Sequence, residues 1–300
     1  MNSQANSNLN PGATTRATLR ENTTDDLAPF IKPPVLQFEI GSMRNFVYLI
    51  ILGNSQNGEP GARPDVLPNN LGEAIVIDPQ KDLRPLQSAC AQYGVKITEI
   101  WLTHSHHDHI AGVPALLDAD PSIRLRAHQK DAHRLPEAAK KRLTIWNFGA
   151  PSSEVGDPHG GCLEFKMGDL NIQVIHTPGH SAGAVSYLVS QAQSQAQSQT
   201  QSQAQPQTQS QAQPNDSPPE SYLISGDTLF IRDCGRTDLE TGSNEDMFKS
   251  LQTYKKLTPI NAVLLPGHHY ARECFSQFSD ELKASPPLLC NNIEELQNLP

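Results

Sequence analysis

Apolar positions follow two rhythms along the chain. Short, nearly unbroken apolar runs recur at Asn45 to Leu52 (NFVYLIIL), Ala74 to Asp78 (AIVID), Ile97 to Thr103, Leu163 to Met167, Asn171 to His176, residues 185–189 and 221–225, and Ala262 to Leu265. Runs of this length that stop at polar or Gly-rich text predict buried strands. Elsewhere the spacing lengthens to threes and fours. Leu83, Leu86, Ala89, Cys90 and Tyr93 predict a helix over Asp82 to Tyr93, and similar text predicts helices at Val113 to Leu117, Gln129 to Leu143 and Asp246 to Leu257. Strands in meander-like groups, interleaved with helices, predict an α/β (α+β) fold with sheets packed inside helical outer layers.

Two segments fall outside this pattern. Residues 1–34 are rich in Asn, Thr, Ser and Pro, carry balanced charge and show no periodicity, which predicts a disordered N-terminal tail. Residues 191–219 consist almost wholly of Gln, Ser, Ala and Pro, too apolar-poor to offset ordering entropy. They lie between two predicted strands and read as an inflated hairpin loop, which costs little extra closure entropy. Gly53 to Gly72 reads as a second enlarged hairpin loop. The remainder, 35–300, is expected to be one domain carrying the 191–219 insertion.

Charge and cysteine content narrow the function classes. Lys plus Arg is 23 against 32 for Asp plus Glu, a net charge of −9. That balance argues against a nucleic-acid partner, which calls for clustered positive charge. The longest apolar run, Phe46 to Leu52, is far short of the about 20 residues a membrane helix needs, so no membrane partner is expected. Five scattered cysteines do not make a disulfide scaffold, and no apolar leader is seen. A cytoplasmic protein is expected, with organellar targeting by residues 1–34 the alternative.

The candidate chemistry sits at strand ends. Thr103-His104-Ser105-His106-His107-Asp108-His109 follows directly on a predicted strand and packs four histidines and one aspartate into six residues. His104 and His106 can project toward one point, with Asp108 and His109 on the next turn. Imidazole and carboxylate are ligands suited to zinc and ferrous iron. His180 in TPGHS, Asp227 in SGDT and His268 in PGHHY each follow a predicted strand beside a glycine, where backbone can approach closely. Together these are seven ligand-type residues delivered from strand ends, enough for two adjacent metal ions.

The strings THSHHDH, TPGHS, SGDT and PGHHY resemble the metallo-β-lactamase-fold hydrolases, and within them the glyoxalase II and persulfide dioxygenase branch. The resemblance runs from about Val35 onward and implies a four-layer αββα sandwich with metals at one edge of the sheets. It implies that His104, His106 and His180 hold a first metal, that Asp108, His109 and His268 hold a second, and that Asp227 bridges them. Asp108 and Asp227 are the carboxylates expected to serve catalysis. His107 and His269 occupy variable positions of their motifs. The cofactor implied is two Zn2+, with Fe or Mn as substitutes. The activity implied is thioester hydrolysis by a metal-bound hydroxide, on a small-molecule substrate of the glutathione-conjugate type such as S-lactoylglutathione.

The same motifs leave a second activity open. Persulfide dioxygenases bind one Fe2+ through residues matching His104, His180 and Asp227, a set that leaves positions for dioxygen and a thiolate. The string CGRTD, Cys234 to Asp238, resembles the dioxygenase version. Arg236 aligns with the glyoxalase II lysine that contacts the glutathione carboxylate, and Tyr270 matches a tyrosine that touches glutathione, so both are candidate substrate-binding residues. Asp238 stands where glyoxalase II has an aromatic. Ser276 to Pro300 resembles the short tail of the compact branch rather than a helical glutathione-binding domain, and Trp146 to Cys162 looks inserted. Cys234 reads as a packing residue rather than a nucleophile, and His128, His133, His159 and His176 as surface or packing histidines.

Overall fold

The continuous apolar runs are strands buried on both faces. In Asn45–Leu52, Val47 and Leu49 join one apolar core, while Phe46, Tyr48, Ile50 and Leu52 join another on the opposite side. Side chains alternate across a strand, so a strand with a core on each face shows no polar alternation. Ala74 and Val76 against Ile75 and Ile77 repeat this division, as do Leu264 against Val263 and Leu265.

The computed structural model describes residues 34–52, 71–148, 161–191 and 221–299. The expected tail (except Pro34), most of the Gly53 to Gly72 loop, the 191–219 insertion (except Gln191) and residues 149–160 of the Trp146 to Cys162 stretch lie outside the described residues. Strands β1 (Val35–Ile40), β2 (Asn45–Leu52), β3 (Gly72–Ile77), β4 (Val95–Trp101), β5 (Arg124–Ala127) and β6 (Leu143–Ile145) form one sheet in sequence order. The first two pairings are antiparallel and those from β3 to β6 are parallel. The parallel strands are joined through helices α1 (Arg84–Tyr93), α2 (His107–Ile110), α3 (Val113–Ala119) and α4 (Glu137–Lys140).

The second sheet contains β7 (Cys162–Met167), β8 (Leu170–His176), β9 (Val185–Gln191) and β10 (Ser221–Gly226). A small hairpin follows, β11 (Leu229–Phe230) with β12 (Asp233–Cys234), and then α5 (Asn244–Leu257), β13 (Val263–Pro266) and β14 (Ser276–Gln277). The strand order is β14-β13-β10-β9-β8-β7, and β10 pairs with β13 in parallel. Helices α6 (Phe278–Ala284), α7 (Pro286–Leu289) and α8 (Ile293–Gln297) close the chain on the outer face. One core lies between the sheets, one under α1, α3 and α4, and one under α5 to α8. This is the expected αββα sandwich.

One predicted element is corrected. Gln129 to Leu143 is not a single helix: a 3-10 segment spans Gln129–Arg134, α4 follows, and Leu143 already begins β6. Pro136 explains the break, because it lacks an amide donor and disfavours helical backbone at Leu135, whose ψ is 146°. The apolar spacing on either side belongs to two short elements that happen to share phase.

The sheets meet at the rim where β3, β4, β8, β10 and β13 end. The Phe46 amide donates to Gly267 O at 2.8 Å and the His269 amide to Arg44 O at 2.9 Å. The Val185 amide donates to Thr103 O at 2.8 Å, and the Tyr187 hydroxyl to Leu102 O at 2.7 Å. Each loop that carries a candidate ligand leaves from this stitched edge.

Candidate active site

The structure brings all seven predicted residues to this rim. His104 and His106 leave the end of β4, with Asp108 and His109 on α2. His180 follows β8, Asp227 follows β10 and His268 follows β13. The donor atoms of His104, His106 and His180 lie within 4.8 Å of one another, as do those of Asp108, His109 and His268. Asp227 stands between the groups: one carboxylate oxygen is 3.6 Å from His180 Nε2 and 3.3 Å from His268 Nε2, and the other is 3.4 Å from His109 Nε2.

Partners on the far ring nitrogens fix how the imidazoles face. His180 Nδ1 donates to Arg236 O at 2.8 Å, and His268 Nδ1 to Met43 O at 3.0 Å. His109 Nδ1 donates to Asp78 Oδ2 at 3.0 Å. The Thr103 hydroxyl donates to the same carboxylate and accepts from His104 Nδ1 at 3.0 Å. Each of these rings therefore turns Nε2 inward, the arrangement by which outer partners set a ligand's tautomer. His106 differs, presenting Nδ1 at 2.9 Å from His180 Nε2.

The electrostatics favour a cation. His104 Nε2 and Asp227 Oδ1 are buried with no hydrogen-bond partner, and His109 Nε2 faces His268 Nε2 at 3.2 Å. Orphaned inward acceptors and facing ring nitrogens beside carboxylates match the donor set of a divalent metal. Burial and the neighbouring histidines push His104 far below its ordinary pKa, and burial with His180 takes His106 down to about 4, so both rings offer lone pairs at neutral pH. Burial opposes charge on His268, but Asp108 and Asp227 outweigh it and raise the ring to about 10. Burial likewise opposes ionisation of Asp108 and Asp227, yet the surrounding histidines hold both carboxyls below their usual range.

Residues 93–191 match the sequence profile described as Metallo-beta-lactamase superfamily. The chain carries a metallo-β-lactamase superfamily domain. It is similar to the hydroxyacylglutathione hydrolase of Prochlorococcus marinus (strain MIT 9211), 28% identical over 199 residues that cover 66% of this chain and 62% of that protein. It is also similar to the probable polyketide biosynthesis zinc-dependent hydrolase PksB of Bacillus subtilis (strain 168), 25% identical over 66% of this chain and 68% of that protein. The chain thus spans about three fifths of the length of the first of these relatives. In fold it is similar to the crystal structure of ETHE1 from Myxococcus xanthus, with a TM-score of 0.55, 24% identity, and coverage of 88% of this chain and 91% of that one.

Other predicted residues of the metallo-β-lactamase domain divide by position. Tyr270 stacks on His268, with ring centroids 4.7 Å apart and planes at 7°, and packs edge-on to Phe230. Its ring is largely exposed, so it forms part of the mouth. Arg236 holds Asp238 in a two-point ion pair, Nε to Oδ1 at 2.6 Å and NH2 to Oδ2 at 2.7 Å, at the surface. Its carbonyl, rather than its guanidinium, touches a site residue. His269 turns away from the cluster toward Glu39, Arg44 and Phe46, and His107 is exposed. Burial and the Asp233 charge raise the Cys234 thiol to about 12, consistent with a packing role. His128 stacks on His176 at 4.2 Å, and His133 lies on the surface; His159 lies outside the described residues.

Three supporting residues carried little signal in the sequence. Asp78 accepts from the Thr103 amide at 2.7 Å as well as from His109 and the Thr103 hydroxyl. An acid at the end of a wholly apolar strand was the one available cue. Asn45 donates to Asp108 Oδ2 at 3.0 Å, but it reads as the first residue of a strand. Asp131 was hidden inside the text that predicted a long helix.

Proposed function

We propose that this chain is a metal-dependent hydrolase of a thioester, with a glutathione conjugate such as S-lactoylglutathione as substrate. The observation that carries this reading is the placement of Asp227 between two groups of three donors. His104, His106 and His180 would hold one Zn2+, Asp108, His109 and His268 a second, and Asp227 both; Fe or Mn would suit the same donors. Metal ions bound there supply a water acidic enough to attack at neutral pH and polarise the substrate carbonyl. The hydroxyacylglutathione hydrolase relatives support the substrate class.

The chain's own residues bind and orient. The Asp108 and Asp227 carboxylates, held ionised by the surrounding histidines, would serve as metal donors and could orient a water supplied there. Tyr270 offers an aromatic face at the mouth, and Arg236, once released from Asp238, can clasp a substrate carboxylate at two points. A thioester needs no strong acid from the protein, since a thiolate leaves readily. The CGRTD string favours a second reading, a glutathione persulfide (sulfur) dioxygenase with one Fe2+ on His104, His180 and Asp227. One purified sample separates the two: S-lactoylglutathione turnover, lost by at least about 10³-fold in Asp227→Asn, supports the hydrolase. Oxygen uptake on glutathione persulfide without thioester turnover replaces it by the dioxygenase.

A further inference from the structure

Asp131 is outside the donor set, yet it ties together the two loops that supply the first group of donors. Its side chain is buried on the 3-10 segment Gln129–Arg134, with the residue only 1% exposed. Oδ2 accepts from the Ser105 amide at 3.0 Å and from the Ser181 hydroxyl at 2.8 Å, and Oδ1 accepts from the Gly183 amide at 2.8 Å. The Ser105 hydroxyl donates in turn to Asp131 O at 2.6 Å. Ser105 lies between His104 and His106, and Ser181 follows His180. Gly183 is required for the approach, because a Cβ there would lie 2.5 Å from Asp131 Oδ1.

We propose that Asp131 is a positioning residue for the first metal group, setting the distance between the loop of His104 and His106 and the loop of His180. The proposal rests on the two-metal reading above. A buried carboxylate with its acceptors filled is a rigid spacer, since letting go of either loop strands a buried charge and its donors. The second group has different supports: Asp78 for His109, Asn45 for Asp108 and the Met43 carbonyl for His268. Loss of Asp131 should therefore loosen one group and spare the other. A role confined to fold stability would lower the melting temperature without such selectivity.

The test is calorimetric zinc titration of the metal-stripped full chain, comparing wild type with Asp131→Asn, Ser181→Ala and His106→Ala. His106→Ala marks which binding event belongs to the first group. The expected result is that Asp131→Asn weakens that same event about tenfold or more, leaves the other event unchanged, and that Ser181→Ala does so to a smaller extent. Unchanged affinities in folded variants, or equal weakening of both events, overturn the proposal. If Asp131→Asn does not fold, Ser181→Ala decides by the same criteria. A wild-type chain that takes up no zinc overturns the metal reading and this proposal together, whereas two tight zinc ions in wild type and in every clamp variant overturn the proposal alone.

Discussion

At the scale of single residues, the site depends on close backbone approach as much as on the donors. Gly267 stands directly before His268, and a Cβ added there would come within 2.1 Å of Asp227 Oδ1. The nearby Gly226 backbone leaves no room for relief, at 2.9 Å. Gly267→Ala is therefore expected to displace the Asp227 carboxylate and reduce turnover by about 10²-fold, as misplacement of this size does in other sites. Steady-state kinetics alongside thermal unfolding checks this; a folded variant with full activity would contradict it. The donors themselves were legible, because four histidines and an aspartate in six residues at a strand end have little structural purpose. Asp78 and Asp131 were not, since a lone acid reveals its partners only when distant loops are folded against it.

At the scale of elements, polar groups buried between strands and helices hold the scaffold in register. Glu99 on β4 is 1% exposed and accepts from Trp101 Nε1 at 2.7 Å, Arg126 Nε at 2.7 Å and Arg124 Nε at 3.0 Å, joining β4 to β5. Burial raises its pKa, but the hydrogen bonds from Trp101 and Arg126 outweigh this and hold it below its ordinary value of 4.5. A carboxyl whose folded pKa is depressed adds stability above its unfolded pKa and loses it as pH falls through the folded value. Glu99→Gln should cost about 2 kcal/mol at pH 7, and the gap to wild type should narrow below about pH 4. Urea unfolding at both pH values measures it, and a gap that does not change with pH would contradict the assignment. Period alone revealed the longer elements such as β2, β9 and α5, and did not reveal β1, β5, β14 or α6 to α8. It failed at Gln129 to Leu143, where Pro136 divides a pattern whose two halves stay in phase.

At the scale of the molecule, the functional rim is an edge between two sheets, and insertions away from it are expected to be tolerated. Ser190 of β9 pairs directly with Ser221 of β10, so the ends flanking residues 192–220 already lie side by side. Replacing that segment by a short turn should leave the melting temperature within about 3 °C and turnover within about twofold, because loop length changes closure entropy only slowly. Loss of folding would assign the segment a structural role. Sheets packed inside helical layers were legible from the apolar runs, while the four-layer αββα order was implied only by the resemblance of the histidine motifs. The meeting of the two sheets at one rim was implied only by that resemblance and not by the apolar pattern, because it rests on contacts such as those from Phe46 to Gly267 and from Val185 to Thr103. The central claim is that seven side chains from four strand ends form one two-ion centre, and elemental analysis of the zinc-reconstituted chain tests it most directly. Two zinc ions per wild-type chain, falling to one or none in Asp227→Asn, is the predicted result; a wild-type chain with no zinc, or an Asp227→Asn chain that keeps both ions, would contradict it.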